Sequence, residues 1–362
     1  MTPDSRYALG TFSIAGASPF AGLVLDESVI ALSALQPVAR SLGCVLSGTG
    51  INELLESWDS NAATLKSLVA ALRTPAGAAA LAHAVPVAQL RVHAPLLPRQ
   101  IFCCSANYRK HVIDLILDRP TSVDPGVPLA ERRQYAEALM DHRALHGKPY
   151  AFLKLPSCVT GPFDDVPLPF DMTQPDWELE LGAVIGKTAR RVPQARALGY
   201  VAGYVIGNDL TAREMLARPD IPGLGADWLS AKCAPGFLPL GPYLVPAEFV
   251  PDPQNLQITL KLNGKTMQDE STSDMIFNLA RLIEWLSTQV ELQPGDLVMT
   301  GSPSGNGTHY NRYLQPGDVM DGSITGLGTQ RNTCVTESLT DAQRAVRYQK
   351  PEKVLAAPTV QR

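Results

Sequence analysis

The sequence predicts an α+β fold rich in strands, on three observations. Thirty prolines and 28 glycines are spread along all 362 residues, so turns recur throughout. Apolar runs of strand length lie between those turns. Helical spacing of apolar residues is confined to a few stretches, and one of these, Met275–Leu286, is a clean amphipathic stripe.

In chain order, residues 8–35 read as short strands and turns: Leu9–Ile14, Gly22–Asp26, then Val29–Leu32. Residues 51–84 turn helical, with Leu54, Leu55, Trp58, Leu65, Leu68, Val69 and Leu72 on one face. The proline-bearing stretch 86–98 reads as a linker. A boundary near residue 95 therefore separates a small N-terminal α/β domain, 1–95, from a larger second domain, 96–337. That domain opens with the buried strand Ile101–Cys104. A helical region from 112 to about 146 follows, interrupted by Pro120–Pro128. Strand-like runs come next at Tyr150–Leu155, Leu179–Ile185, Val201–Ile206, Gly241–Val245, Leu256–Leu262 and Leu297–Thr300. Ser273 or Thr272 is in place to cap the amphipathic helix, whose stripe is Met275, Ile276, Leu279, Leu282, Ile283 and Leu286. Gln293-Pro294-Gly295-Asp296 and Gln315-Pro316-Gly317-Asp318 both specify type II turns feeding strands. Residues 338–362 are polar and read as a tail.

Composition narrows the function. Lys and Arg total 31 against 35 Asp and Glu, a net charge of −4 with no basic run, which argues against nucleic acid or anionic membrane as partners. Neither an apolar signal core nor a membrane-length apolar stretch is present, and six cysteines lack C-x-x-C spacing. A cytoplasmic enzyme with reduced thiols is the expectation.

Chemistry concentrates in Trp177-Glu178-Leu179-Glu180 and Gly207-Asn208-Asp209. Alternation along a strand points Glu178 and Glu180 the same way, with Trp177, Leu179 and Leu181 opposite. Two adjacent carboxylates repel, and a shared cation relieves the repulsion. Asp209 could complete an all-oxygen set for a hard divalent ion, Mg²⁺, Mn²⁺ or Ca²⁺. The alternative from spacing alone is a strand whose wet face carries two glutamates.

Together with these, Asn107-Tyr108-Arg109-Lys110-His111, Phe152-Leu153-Lys154-Leu155-Pro156-Ser157 and Gly203–Glu214 form an ordered series. The series continues through Ala231-Lys232-Cys233, Leu240-Gly241-Pro242, Asn263-Gly264 with Gln268, Thr272–Phe277, Pro294-Gly295-Asp296 and Thr300–Gly305. In this order the chain resembles the fumarylacetoacetate hydrolase family over residues 100–336. The resemblance implies a mixed β-roll catalytic domain, usually homodimeric, that binds Mg²⁺ or Mn²⁺ and acts on 2-oxo acids or β-diketones by C–C hydrolysis, decarboxylation or isomerisation. It implies Glu178, Glu180 and Asp209 as metal ligands and Lys232 as the electrostatic stabiliser of a developing oxyanion or of the substrate carboxylate. Cys233 reads as a buried small residue. His111 is the implied general base, with Asp114 as its orienting carboxylate at i+3.

Tyr108 and Arg109 are candidates to hold a substrate carboxylate, with a structural ion pair as the alternative for Arg109. Lys154 either reaches the pocket or pairs with Asp164. Gln268, Thr300, Gly301 and Ser302 are further substrate-contact candidates, and Arg213 reads as a brace for Asp209. Two departures bear on substrate. The stretch between His111 and Lys154 is long, implying an enlarged lid around 114–148, and Met215-Leu216 stands where oxaloacetate decarboxylases of the family tend to carry Gln. Residues 1–95 resemble the small N-terminal domain of some members. The expected function is metal-dependent cleavage of a C–C bond in a 2,4-diketo acid (acylpyruvate) or related β-diketone. The alternatives are a decarboxylase or keto–enol isomerase on the same metal site, and a catalytically silent scaffold.

Overall fold

The computed structural model describes residues 6–118, 126–221 and 225–348. Near the N-terminus, five antiparallel strands run in the order Val85–Pro86, Ser28–Ala31, Phe20–Leu25, Ala8–Ser13, Arg91–His93. Helices Leu32–Ser41 and Trp58–Leu72 turn Leu32, Leu35, Leu65 and Leu68 into the core beside it.

The site is carried by a six-stranded mixed sheet, ordered Val245–Pro246, Val201–Asn208, Leu179–Ile185, Leu297–Met299, Ile101–Cys104, Ala151–Lys154. Its one parallel pair joins Leu297–Met299 to Ile101–Cys104. A second, five-stranded sheet runs Lys265–Ser271, Gln257–Leu262, Val319–Ile324, Gly328–Thr336, Val166–Leu168. The two sheets approach closely at Gly322, where a Cβ would meet Leu179 Cδ1 at 2.7 Å.

All seven residues of Leu179–Ile185 are buried, because the strand has a core on each face. Leu179, Leu181, Ala183 and Ile185 pack with Phe277 and Leu282, while Val184 packs with Leu54, Leu65 and Leu68. The wet-face reading of this strand is therefore wrong. The second core also crosses residue 95: Leu9 and Leu23 share it with Val205, Leu238 and Leu244, and Leu9 N–H donates to Leu244 O at 3.0 Å.

Both Pro-Gly turns form as read, with Gly295 and Gly317 at φ +88° and +92° and hydrogen bonds closing Gln293 to Asp296 and Gln315 to Asp318. The Gly241–Val245 run shortens to Val245–Pro246, since Pro242 has no N–H for a ladder. The amphipathic helix spans Leu279–Gln289, starting later than expected. Asn278, not Ser273 or Thr272, is its cap, accepting from Arg281 N–H. The preceding segment is held extended: Ile276 N–H donates to Asn107 O, and the Asn107 side chain exchanges hydrogen bonds with the Phe277 backbone. The expected lid contains helices Arg109–Asp118 and Leu129–His146, which share a small cluster of Val112, Ile113, Ala136 and Met140. Residues 119–125 of that lid, and 349–362 of the expected tail, lie outside the described residues.

Candidate active site

Antiparallel register builds the acidic centre. Leu179 pairs with Asn208 and Glu180 with Gly207, so Glu178, just before one strand, meets Asp209, just after the other. Asp209 N–H donates to Glu178 O at 2.9 Å, and the Asn208 side chain accepts from Glu178 N–H. Opposite Glu180 stands Gly207, where a Cβ would meet the Met299 side chain, Cε at 2.5 Å, so a larger residue would require that side chain to move. One oxygen from each of Glu178, Glu180 and Asp209 lies within 4.8 Å of the others, and all three residues are buried.

Two lysines and an arginine converge on these acids. Lys232 ends the short helix Trp228–Lys232, which Asp227 caps by accepting from Ser230 N–H. Its Nζ donates to Glu178 Oε2 at 2.6 Å and to Asp209 Oδ2 at 2.7 Å. Lys154 Nζ reaches Asp209 Oδ1 at 2.5 Å and the Leu210 carbonyl at 3.0 Å. Arg213 donates to Asp176 and to Glu178. Burial opposes the charge on Glu178, but Arg213 and Lys232 outweigh it and hold its carboxyl at about 2. Burial also works against the Lys232 ammonium, and Asp209 and Glu178 reverse that and raise it. Glu180 differs. Burial, then the charges of Asp209 and Glu178, push its carboxyl well above the usual range, and it accepts from Gly301 N–H at 2.8 Å. A buried carboxylate so under-compensated, with two neighbours offering oxygens, fits a hard divalent cation.

His111 sits on Arg109–Asp118, facing the same space and buried. Burial lowers its imidazole to about 4, against the opposing pull of Glu178, so it is neutral at pH 7. Asp114, one turn on, acts on it through charge, while its Oδ2 accepts from Ser304 Oγ at 2.7 Å. His111, Glu178, Glu180, Asp209, Arg213 and Lys232 line one cavity of about 660 Å³, shared with Phe152, Leu216, Trp228 and Tyr313. The Phe152 and Trp228 rings stack at 4.2 Å, and Lys232 Nζ lies 5.0 Å from the Phe152 ring centre.

Residues 100–335 match the family model described as fumarylacetoacetate (FAA) hydrolase C-terminal. The chain belongs to the fumarylacetoacetate hydrolase family. A 2,4-didehydro-3-deoxy-L-rhamnonate hydrolase of Sphingomonas sp. (strain SKA58) is 44% identical over 187 residues, 51% of this chain and 64% of the relative. A mitochondrial oxaloacetate tautomerase of Homo sapiens is 38% identical over 190 residues, 52% of this chain and 59% of the relative. The chain thus spans less than two thirds of either relative's length. The fumarylacetoacetate hydrolase of Exiguobacterium antarcticum superposes with a TM-score of 0.66 at 25% identity, covering 91% of this chain and 100% of that one. The strand-rich mixed fold is that of the fumarylacetoacetate hydrolase family.

Against that family frame, some expected contacts move. Lys154 serves Asp209; Asp164 instead accepts from Arg91, Thr160 and Gly161 N–H. Arg213 holds Asp176 and Glu178 rather than Asp209. Arg109 pairs with Asp141 at 2.9 Å, the structural alternative, and Tyr108 is fully buried in the core behind the sheet. Gln268 is spent on Leu179 N–H, Ser302 Oγ and the Pro303 carbonyl, and Thr300 Oγ1 donates to Leu181 O. Ser302 and Leu216 do line the cavity, and Gly301 reaches it through Glu180. Cys233 is half-buried rather than buried, with its thiol lowered to about 6 chiefly by the neighbouring Cys158.

Asp176 was missed as a site residue. It accepts from Arg213, Gly307 N–H and Thr308, clamping the far loop to the acidic centre. Its signal was parity: Asp176, Glu178 and Glu180 are alternate residues and share a side of the chain.

Proposed function

We propose that this chain is a divalent-metal-dependent hydrolase that cleaves a C–C bond in a 2,4-diketo acid or related β-diketone. Three buried carboxylates, a paired lysine and a neutral histidine facing one cavity carry that reading. Glu178, Glu180 and Asp209 would hold Mg²⁺ or Mn²⁺, which when bound supplies Lewis acidity to chelating substrate oxygens. His111, uncharged at neutral pH, takes a proton from water on a free ring nitrogen. The hydroxide adds to a substrate carbonyl, and the bond between that carbon and the adjacent carbon breaks. The electron pair remains on the departing enolate, beside the Lys232 ammonium. Asp114 supports His111 by charge, and Ser304 fixes the Asp114 carboxylate.

A second reading has an observation in its favour. Since Asp114 bonds to Ser304 and not to His111, water activation lacks its orienting hydrogen bond. The same site then suits keto–enol tautomerisation or decarboxylation of a 2-oxo acid, in which His111 moves a proton without activating water. One experiment separates them: loss of enol ultraviolet absorbance from a panel of acylpyruvates, with product analysis, in Mg²⁺, in chelator and in Glu178→Ala. Two acid products, formed only with metal and wild-type chain, support hydrolysis. Metal-dependent absorbance change with the carbon skeleton intact moves the assignment to a tautomerase. Metal binding with no turnover of any 2-oxo acid points to a silent scaffold.

A further inference from the structure

The cavity, about 660 Å³, is larger than a pyruvate unit fills and leaves room for a substrate tail. Its charge inventory limits what that tail can be. Among the described residues, the basic side chains lining the cavity are His111, Arg213 and Lys232. Each is committed. Lys232 lies between Glu178 and Asp209, Arg213 spans Asp176 and Glu178, and burial keeps His111 neutral. Arg109 pairs with Asp141, Arg312 with Asp318, and Arg143 donates to the Ala106 carbonyl; none of the three lines the cavity. Away from the acids, the wall is Leu115, Phe152, Leu216, Ala217, Ala226 and Trp228.

Building on the diketo-acid reading above, we propose that the substrate carries a single carboxylate, and that its tail is uncharged and lies against the wall containing Leu216. One carboxylate has partners in the acidic centre once the cation is bound. A second, at the tail end, would lose water against a wall that, among the described residues, offers no free positive charge, and that loss is not returned. Neutral oxygens on the tail are still accommodated, since Gln174, Thr308 and Tyr313 also line the space. Leu216 is the specificity-determining residue in this account. It follows Arg213 within the same turn, with its N–H donating to Arg213 O, and presents an alkyl group where a charge-pairing side chain could stand. Oxaloacetate, which the human tautomerase relative is named for, is a dicarboxylate, so the two chains would differ in this property.

The test compares ligands of equal length that differ only in the terminal group. Titration calorimetry on the Mg²⁺-loaded full chain measures 2-oxohexanoate against 2-oxoadipate, and needs no turnover. The neutral-tailed acid should bind about tenfold more tightly or better; equal or tighter binding of 2-oxoadipate overturns the proposal. In parallel, kcat/KM is measured for hexanoylpyruvate and its ω-carboxylated counterpart. Preference in binding with no cleavage of either compound keeps the monocarboxylate assignment and removes the hydrolase reading. Cleavage of both without preference does the reverse. Leu216→Arg should shift the ratio toward the dicarboxylate by about tenfold. An unchanged ratio in a variant with a normal circular-dichroism melt removes Leu216 from the tail site. Ala226→Lys, on the same wall, gives that readout if the arginine variant does not fold.

Discussion

Glu178 and Glu180 are two residues apart, yet their surroundings oppose each other. Glu178 is held ionised by Arg213 and Lys232, so Glu178→Gln leaves both cations under-compensated in a buried place. That substitution should destabilise the chelator-treated protein by about 3 kcal/mol. Glu180→Gln removes a carboxyl that burial and two like charges already disfavour, and should leave the same protein unchanged or about 1 kcal/mol more stable. Both should abolish the rise in melting temperature on adding Mg²⁺ or Mn²⁺. Melts in chelator and in metal decide it; equal losses in chelator would contradict the asymmetry. His111 gives a pH prediction. Its folded value, about 4, lies below the ordinary 6.5, so between these the folded chain binds fewer protons than the unfolded one. Stability rises with pH across that window, by up to about 3 kcal/mol, and is lost as pH falls through it. His93 is also lowered, so urea unfolding should be compared in wild type and His111→Gln at the two ends of the window. The variant should lose most of the slope; an equal slope would place the titration elsewhere.

Elements were legible where the pattern had one solution. Leu179–Ile185 and Val201–Asn208 are near-continuous apolar runs, and placing carboxylates at their two ends required only that they pair antiparallel. The Pro-Gly turns were equally determined. The start of the late helix was not, because Thr272, Ser273 and Asn278 are all competent caps and the apolar stripe begins at Met275. What decided it was Asn107, distant in sequence, which takes the Phe277 backbone and keeps that segment extended. Thr272 instead spends its hydroxyl on Leu256 N–H. Asn278→Ala should therefore cost about 1 kcal/mol by removing the cap, while Ser273→Ala should be nearly neutral. Chemical denaturation of the two variants ranks them, and the reverse order would restore the earlier helix start. Side-chain pairing shows the same limit. Lys154 had two acids to choose from, and only the assembled sheet puts its Nζ on Asp209, 55 residues away, instead of Asp164.

At the scale of the whole molecule, the sequence suggested two domains meeting near residue 95, but the core does not divide there. Val184, Val205, Leu238, Leu244 and Leu297 pack with Leu54, Leu65 and Leu68 on the face of the catalytic sheet that also carries Glu180. The strand Leu179–Ile185 thus carries Glu180 at its acidic end and depends further along on apolar groups supplied from before residue 95. Composition and periodicity report which residues are apolar, not which other segment they meet, so the shared core was invisible to them. A chain beginning at residue 96 would expose that sheet face, a contiguous apolar surface of the kind that drives aggregation. We expect it to be recovered mainly insoluble or, if refolded, to melt without cooperativity and to bind Mg²⁺ weakly, since the register that joins Glu178 to Asp209 runs through the exposed sheet. Soluble yield, calorimetric cooperativity and metal titration of residues 96–337 beside the full chain measure this. A soluble fragment with the full chain's metal affinity would show that the N-terminal part only covers the sheet and does not hold the acidic centre together.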